Sequence, residues 1–260
     1  MAVGSGALSH KNYSIAAGYE ALTTGEYNIA LGYRASALGS GVRRLTPTSA
    51  NATDASADSL ARQLQSQITS NMALGRESAA TGQESIAVGF AATSSALRSN
   101  AVGRIAAASA EDSVAVAYDA KASGTRSVAI GVRAAASQQD STAIGLESVA
   151  SQSNTVAIGP IAKAEGGSAI AVGVYAAAGG LRGVALGSGA SAAGEDGWAG
   201  GSSASASSVR AIALGNNAAA SQQDSHGHRV GRSSLCRERD LHWPLIEGQS
   251  GQRRGPGRSG

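Results

Sequence analysis

A five-residue pattern returns every 14 residues along most of this chain, and that interval constrains the fold more than any other feature. The pattern is Ser-Val-Ala-Ile-Gly at 127–131, Ser-Thr-Ala-Ile-Gly at 141–145 and Thr-Val-Ala-Ile-Gly at 155–159. There are fourteen units, three before an interruption and eleven after it, and thirteen of them have Gly at the fifth place. A unit reads S-V-A-I-G-x-x-A-x-A-x-G-x-x, and its places are called positions 1–14 below.

This unit predicts two short strands joined by two turns. Alternation over positions 1–5, with large apolar residues at 2 and 4, is typical of a strand, and Gly at position 5 permits a tight turn. Ala, Ser or Thr at positions 8 and 10 predicts a second strand with small side chains on one face. We expect each 14-residue circuit to stack on the next as a β-solenoid. A helix would not keep Gly and the apolar pair on fixed faces at a step of 14.

The composition supports a thin fold without a conventional core. The chain contains 55 Ala, 38 Ser and 35 Gly among 260 residues, and only 3% of its residues are aromatic. A globular core built from large side chains is therefore excluded. The sequence has no apolar run of 18 residues, so it predicts no membrane helix, and no signal peptide is visible. The single Cys excludes an internal disulfide framework.

The two faces of the first strand carry different residues. Positions 2 and 4 lie on one face and position 3, which is always Ala, lies on the other. We expect positions 2 and 4 to fill the interior against Ala at 8 and 10, with Ala at 3 facing a neighbouring subunit, although the opposite assignment stays open. The residues expected in the roll core or in trimer packing are Ala87, Ala115, Val128, Ala129, Ile130, Ala143, Ile144, Val156, Ala157 and Ile158; the expected turn glycines are Gly89, Gly131, Gly145 and Gly159.

The unit resembles the head repeat of YadA-type trimeric autotransporter adhesins, also called the haemagglutinin-like head repeat. The residues that carry the resemblance are Ser-Val-Ala-Ile-Gly at 127–131 and its relatives, with Ala134 and Ala136, and the match covers 1–41 and 71–224. The resemblance implies an all-β, left-handed parallel β-roll and a homotrimer. It also implies display on the outer membrane of a Gram-negative bacterium and adhesion to host cells or matrix, with collagen-like proteins as ligands. A small apolar content per unit independently favours oligomers.

Four segments follow from the pattern: head repeats at 1–41, an insertion at 42–70, head repeats at 71–224 and a non-repeat tail at 225–260. Met1 occupies position 2, so the chain starts inside a unit. In the insertion, Leu60, Leu64 and Ile68 predict a short amphipathic helix after a loop. The insertion is either a projecting binding loop or a tolerated interruption. Within the repeats, Trp198 at position 2 beside Gly200 predicts local repacking or a kink.

The tail differs from the repeats in composition. It contains no Ala, it holds the only Cys (Cys236), and it carries a net charge of +4, whereas residues 1–224 carry −1. The basic charge is therefore no argument for nucleic acid binding by the repeats. His-Gly-His-Arg at 226–229 can be encoded so that a one-base shift reads Thr-Ala-Ile-Gly, which would continue the pattern. We therefore hypothesise a frameshift near 225 and expect a disordered tail.

No motif indicates catalysis or a cofactor. His10 is the only His in 1–224, and Asp112, Asp140, Glu195 and Asp196 fall where solvated turns are expected. His226 and His228 make at most an adventitious metal site, and we expect neither a cofactor nor a structural metal. Trimeric left-handed β-helix enzymes use hexapeptide steps, calcium-binding rolls need G-G-x-G-x-D, and ice-binding solenoids need rows of Thr. An adhesin head therefore stands first, with a non-adhesive spacer and an enzyme module as alternatives.

Overall fold

The computed structural model describes residues 1–25, 27–38 and 70–228. By compactness the chain divides into Met1–Val230 and Gly231–Gly260, and the second unit lies outside the described residues. Within the described ranges all regular structure is β-strand, and every strand pair is parallel. The strands pair at an offset of 14, as in Val128 opposite Thr142 and Thr142 opposite Val156. A parallel β-solenoid with 14-residue coils is therefore confirmed.

Each coil contributes one strand to each of two sheets. Sheet A has 15 strands: β1 (Ala2–Val3), β3 (Ile15–Ala17), β5 (Ile29–Leu31), β7 (Met72–Leu74), β9 (Ile86–Val88), β11 (Asn100–Val102), β13 (Val114–Val116), β15 (Val128–Ile130), β17 (Thr142–Ile144), β19 (Val156–Ile158), β21 (Ile170–Val172), β23 (Val184–Leu186), β25 (Trp198–Gly200), β27 (Ile212–Leu214) and β29 (His226–His228). Sheet B has 14 strands: β2 (Leu8–Ser9), β4 (Leu22–Thr23), β6 (Ser36–Ala37), β8 (Ala79–Ala80), β10 (Thr93–Ser94), β12 (Ala107–Ala108), β14 (Lys121–Ala122), β16 (Ala135–Ala136), β18 (Val149–Ala150), β20 (Lys163–Ala164), β22 (Ala177–Ala178), β24 (Ser191–Ala192), β26 (Ser205–Ala206) and β28 (Ala219–Ala220).

The interior of the roll is filled by methyl groups. Ala129, Ala134 and Ala136, at positions 3, 8 and 10 of one coil, are fully buried, and the same positions are buried in coil after coil. The expected interior assignment of Val128 and Ile130 was wrong, because both point outward and Ile130 is 38% exposed. The same correction applies to Ile144, Val156 and Ile158. A coil of only 14 residues brings its two sheets so close that, in the described coils, no fully buried side chain is larger than Asn.

Two β-turns close each coil. The amide of position 8 donates to the carbonyl of position 5, as in Ala134 to Gly131 at 3.1 Å, and the amide of position 1 donates to that of position 12, as in Ser127 to Gly124 at 3.1 Å. The third residue of each turn has positive φ, as at Arg133 and Arg126, whereas the second does not. This combination defines type II turns. Below, the first turn is the one at positions 5–8 and the second turn the one at positions 12–14 and 1.

Position 5 requires glycine because the backbones of successive coils nearly touch there. Gly145 has φ 135°, and a Cβ on it would lie 2.6 Å from the carbonyl carbon of Gly159. The expected turn glycines Gly89, Gly131 and Gly159 occupy the same place, with φ between 125° and 136°. Ala117 is the exception, and its φ is 109°. A side chain in this region of φ is strained.

The two sheets continue without a break from the third coil to the fourth, on either side of the insertion. β5 pairs with β7, and β6 pairs with β8, as if the coils were consecutive. Two buried amides at position 1 hold the exit point: Asn28 donates to the carbonyl of Ala37 at 3.0 Å, and Asn71 donates to that of Leu38 at 2.8 Å. The side-chain Oδ1 of Asn28 also accepts a hydrogen bond from the backbone N–H of Asn71 at 2.9 Å. Residues 39–69, including the expected helix at Leu60–Ile68, lie outside the described residues.

The roll extends slightly beyond 224. Ser225 donates its hydroxyl to the carbonyl of Gln222 at 2.6 Å, as serines at position 1 do in other coils, and β29 pairs in register with β27. The expectation that the tail is disordered from 225 onward was therefore wrong for 225–228, and 229–260 lie outside the described residues. Residues 134–141 and 218–225 are identical, Ala-Ala-Ala-Ser-Gln-Gln-Asp-Ser, and they diverge only at 142 and 226. This identity, six coils apart, supports the frameshift hypothesis.

The methyl-only interior can be tested with two adjacent alanines of β16. Ala136 faces the interior and is fully buried, whereas Ala135 faces outward, where the next coil carries Val149. We expect Ala136→Val to lower the free energy of unfolding by about 1–3 kcal/mol through overpacking. Ala135→Val should change it by no more than about 0.5 kcal/mol. Equal effects in denaturant unfolding would contradict a closed interior.

The strain at Ala117 predicts a stabilising glycine. Ala117→Gly should raise the free energy of unfolding by about 1 kcal/mol, because relief of backbone strain outweighs the entropic cost of Gly. Two residues earlier, Ala115 is fully buried in the interior, and Ala115→Gly should instead lower stability by about 1 kcal/mol. Thermal unfolding of both variants checks the opposite signs. A loss of stability on Ala117→Gly would show that its backbone is not strained.

Candidate interaction surfaces

The outer side of sheet A is apolar along its length. The apolar face consists of the outward side chains at positions 2 and 4, and most of these are Val, Ile or Leu. Exposed fractions of 38% at Met72, 38% at Ile158 and 39% at Leu214 are typical of it. Trp198 is 46% exposed, and its indole lies beside Gly200, where a Cβ would come 3.6 Å from the Trp198 Nε1. The sheet register continues through both residues, which favours local repacking over a kink.

The outer side of sheet B has a different composition. Its outward residues, at position 9, are mostly Ala, Ser, Thr or Lys, and Lys121 and Lys163 are exposed there. No aromatic side chain stands at position 9 in the described coils. Only one of the two broad surfaces therefore has the apolar character of a protein–protein interface.

A column of aromatic and arginine side chains runs along the first turn from coil to coil. The aromatic ridge is formed by position 6 of six successive coils: Tyr19, Tyr33, Arg76, Phe90, Arg104 and Tyr118. The rings of Tyr19 and Tyr33 stack with centroids 5.3 Å apart. The Arg76 guanidinium lies 5.5 Å from the Tyr33 ring and 5.4 Å from the Phe90 ring, and that of Arg104 lies 5.7 Å from Phe90 and 5.4 Å from Tyr118. These distances are in the range of cation–π contacts.

The second turn carries a ladder of alternating charge at position 14. The charged edge consists of Arg98, Asp112, Arg126 and Asp140, and of Arg182, Asp196, Arg210 and Asp224 six coils later. Nε–Oδ1 distances are 2.5 Å for Arg98–Asp112 and 2.6 Å for Arg126–Asp140. The hydrogen bond from Arg98 lowers the pKa of Asp112, and that from Arg126 lowers the pKa of Asp140. The same arrangement lowers the pKa values of Asp196 and Asp224.

Parallel stacking places each charge directly over the residue 14 positions away, so the side chains form bonds between coils. Asp112, Asp140, Glu195 and Asp196 were expected to be solvated turn residues. They lie in turns, but each accepts a hydrogen bond from an arginine. Sequence reasoning missed these pairs, although the alternation of Arg and Asp at a step of 14 was visible in the sequence.

The described residues contain no group of three His, Cys, Asp or Glu side chains placed to hold a metal ion. They also include no helix long and apolar enough to span a bilayer. The predicted site residues are divided between two environments. The alanines at position 3 (Ala87, Ala115, Ala129, Ala143 and Ala157) line the interior, and Val128, Ile130, Ile144, Val156 and Ile158 lie on the apolar face.

Fold and surface together define a class: a parallel β-solenoid of 14-residue coils with one apolar outer face. Comparison with protein families gives matches to the YadA head domain repeat at residues 9–35, 72–92, 80–103, 118–134, 122–148, 136–160, 150–176, 192–218 and 206–225. These matches cover more than half of the 260 residues, and the chain belongs to the YadA head-domain family. It is an adhesin-type head domain, and the family is not an enzyme family. No curated protein matches the chain.

The charged edge predicts a specific dependence on pH. Because the pKa values of Asp112 and Asp140 are lowered in the folded state, their ionised forms stabilise the fold above the unfolded pKa of about 3.9. This contribution is lost as the pH falls through the lower, folded-state values. Wild type should therefore melt above the Asp112→Asn/Asp140→Asn variant at pH 7, and the gap should close in strong acid. It should also narrow at 1 M salt. A gap that does not depend on pH would contradict an ionic origin.

Proposed function

We propose that this chain is the surface-exposed head of a trimeric autotransporter adhesin that attaches a Gram-negative bacterium to host cells or extracellular matrix. The observation that carries the proposal is the apolar face, which runs along sheet A from β1 to β27 of a solenoid whose interior accepts only small residues. Family membership supports the same class. Neither the outer-membrane location nor the host ligand is carried by a residue of the chain, and both rest on the family.

The trimer places the apolar face of each chain around a common axis. Strands in adjacent coils are about 4.8 Å apart, so fourteen coils give a face roughly 65–70 Å long. A continuous apolar surface of that length is much larger than monomers normally leave exposed to water. Closed rotational symmetry covers this face in all three copies at once. Sheet B, with its small and polar outward residues, then faces solvent.

Attachment would come from the exposed residues of sheet B and the turns. Each copy repeats similar coils, and three copies multiply them, so many weak contacts add up to firm binding. By family resemblance we propose a collagen-like matrix protein as the ligand, without nucleic acid or membrane contact by this segment. The alternative within the same fold is a non-adhesive spacer that holds another domain away from the cell. A left-handed β-helix enzyme is disfavoured by the 14-residue coil.

The trimer is tested by the mass of the full chain in solution. Wild type at micromolar concentration should have three times the chain mass by light scattering. Val128→Lys with Val156→Lys places charge on the apolar face and should give monomers, because buried unpaired charges are costly. The matched control is Ala135→Lys with Val149→Lys on sheet B, where Lys121 and Lys163 already stand, and it should remain trimeric. A monomeric wild type would overturn the proposal.

Adhesion is tested with the same proteins on immobilised collagen. Wild-type trimer should bind, and the monomeric variant should bind at least about tenfold more weakly because multivalency is lost. A trimer that attaches neither to collagen nor to other matrix proteins would support the spacer. The two measurements separate assembly from attachment.

A further inference from the structure

We propose that the aromatic ridge of one subunit packs against the charged edge of the next, so that the two form the seam between neighbouring chains. This inference rests on the proposed trimer and assigns the contacts at its three seams. The occupant of the ridge is therefore a second copy of this chain.

The ridge is continuous with the apolar face. Position 6 follows the last residue of each sheet A strand by two, and it is exposed by 47% at Tyr19, 37% at Phe90 and 38% at Tyr118. Beyond Tyr118 the column remains apolar through Val132, Leu146, Pro160 and Val174. An apolar column beside a face that is covered in the trimer belongs to the same interface. At this edge the surface it meets must belong to a neighbouring chain.

Symmetry selects the opposing residues. The first and second turns stand at opposite edges of each coil, so subunits arranged around an axis bring the first turn of one chain to the second turn of the next. Rotation without translation keeps each coil level with the same coil of its neighbours. Position 6 must therefore meet positions 13 and 14 of the same unit.

Four consecutive coils are complementary under this rule. The coils that place arginine on the ridge, Arg76 and Arg104, carry acids at position 14, Glu84 and Asp112. The coils that place an aromatic ring there, Phe90 and Tyr118, carry arginines at position 14, Arg98 and Arg126. Opposite charges alternate with cation–π partners, and no like charges meet.

Arg104 adds an observation independent of this pattern. Among the arginines that lie in the described ranges, it is the one that forms no ion pair with a carboxylate. Its guanidinium carbon lies 5.7 Å from the centroid of the Phe90 ring and 5.4 Å from that of Tyr118. At the same level of the neighbour, Glu111 stands at position 13 with its side chain 49% exposed. Its Oε1 accepts from Arg98 of its own chain at 2.8 Å, which leaves Oε2 as the acceptor for the Arg104 N–H groups of the next chain.

Disulfide trapping tests the seam. In a full-length Cys236→Ser background, Arg104→Cys with Glu111→Cys should give a covalent trimer as the main species on a non-reducing gel after mild oxidation. Reduction should return it to single chains. Tyr118→Cys with Arg126→Cys provides a second pair, one coil further along.

The control combines Arg104→Cys with Glu195→Cys, which occupies position 13 six coils away. It should give no covalent trimer, because six coils separate the two thiols by roughly 29 Å along the roll. A chain that is trimeric by light scattering but that neither seam pair traps would overturn the seam and leave the trimer intact. Trapping of the control would overturn the level alignment. A monomeric chain would overturn the trimer and the seam together.

Discussion

The close approach of the two sheets determines the rest of this molecule. A coil of 14 residues encloses a space that methyl groups fill, so Ala occupies positions 3, 8 and 10 in most units. The same closeness brings the backbones of successive coils together at position 5, where glycine is needed. It also buries the position 1 serines, and most of their hydroxyls, though not that of Ser127, donate to a carbonyl of the second turn, as Ser141 does to Gln138 at 2.5 Å. The small distance between the two sheets therefore accounts for the high Ala content, the glycine at position 5 and the hydrogen bonds of the position 1 hydroxyls.

A filled interior without room for large side chains reverses the usual placement of hydrophobic residues. Val, Ile and Leu occupy most of positions 2 and 4 in the strands of sheet A, but they point outward. The part of their surface that a single chain leaves exposed, 38% at Ile130, is removed from water only by association. Folding and assembly are therefore coupled in the proposed trimer, and stability depends on concentration. The exposed ion pairs of the charged edge add little energy by comparison, since such pairs are screened by solvent.

The sequence predicted the coil and its turns but not its inside. A constant step of 14, alternation at positions 1–5 and Gly at position 5 were enough to predict parallel strands in register and a roll of small cross-section. Alternation distinguishes two faces of a strand without saying which is enclosed. In domains with larger cores, Val and Ile are the residues expected inside, which is why Val128 and Ile130 were assigned there. In this roll the enclosed volume is so small that the interior side chain is Ala129. The repeat pattern did not predict the hydrogen bonds of the Asn28 and Asn71 side chains, because these bonds form next to the insertion and not in every coil.

The junction at Leu38 and Ser70 has a wider meaning. Strands on either side of it pair as neighbours although Ile29 and its partner Met72 are 43 residues apart in the sequence, 29 more than one coil. Each coil thus recognises only the surfaces directly above and below it. Whole units can therefore be gained or lost without disturbing the rest of the stack. The length of the roll is therefore adjustable in increments of about 4.8 Å per coil.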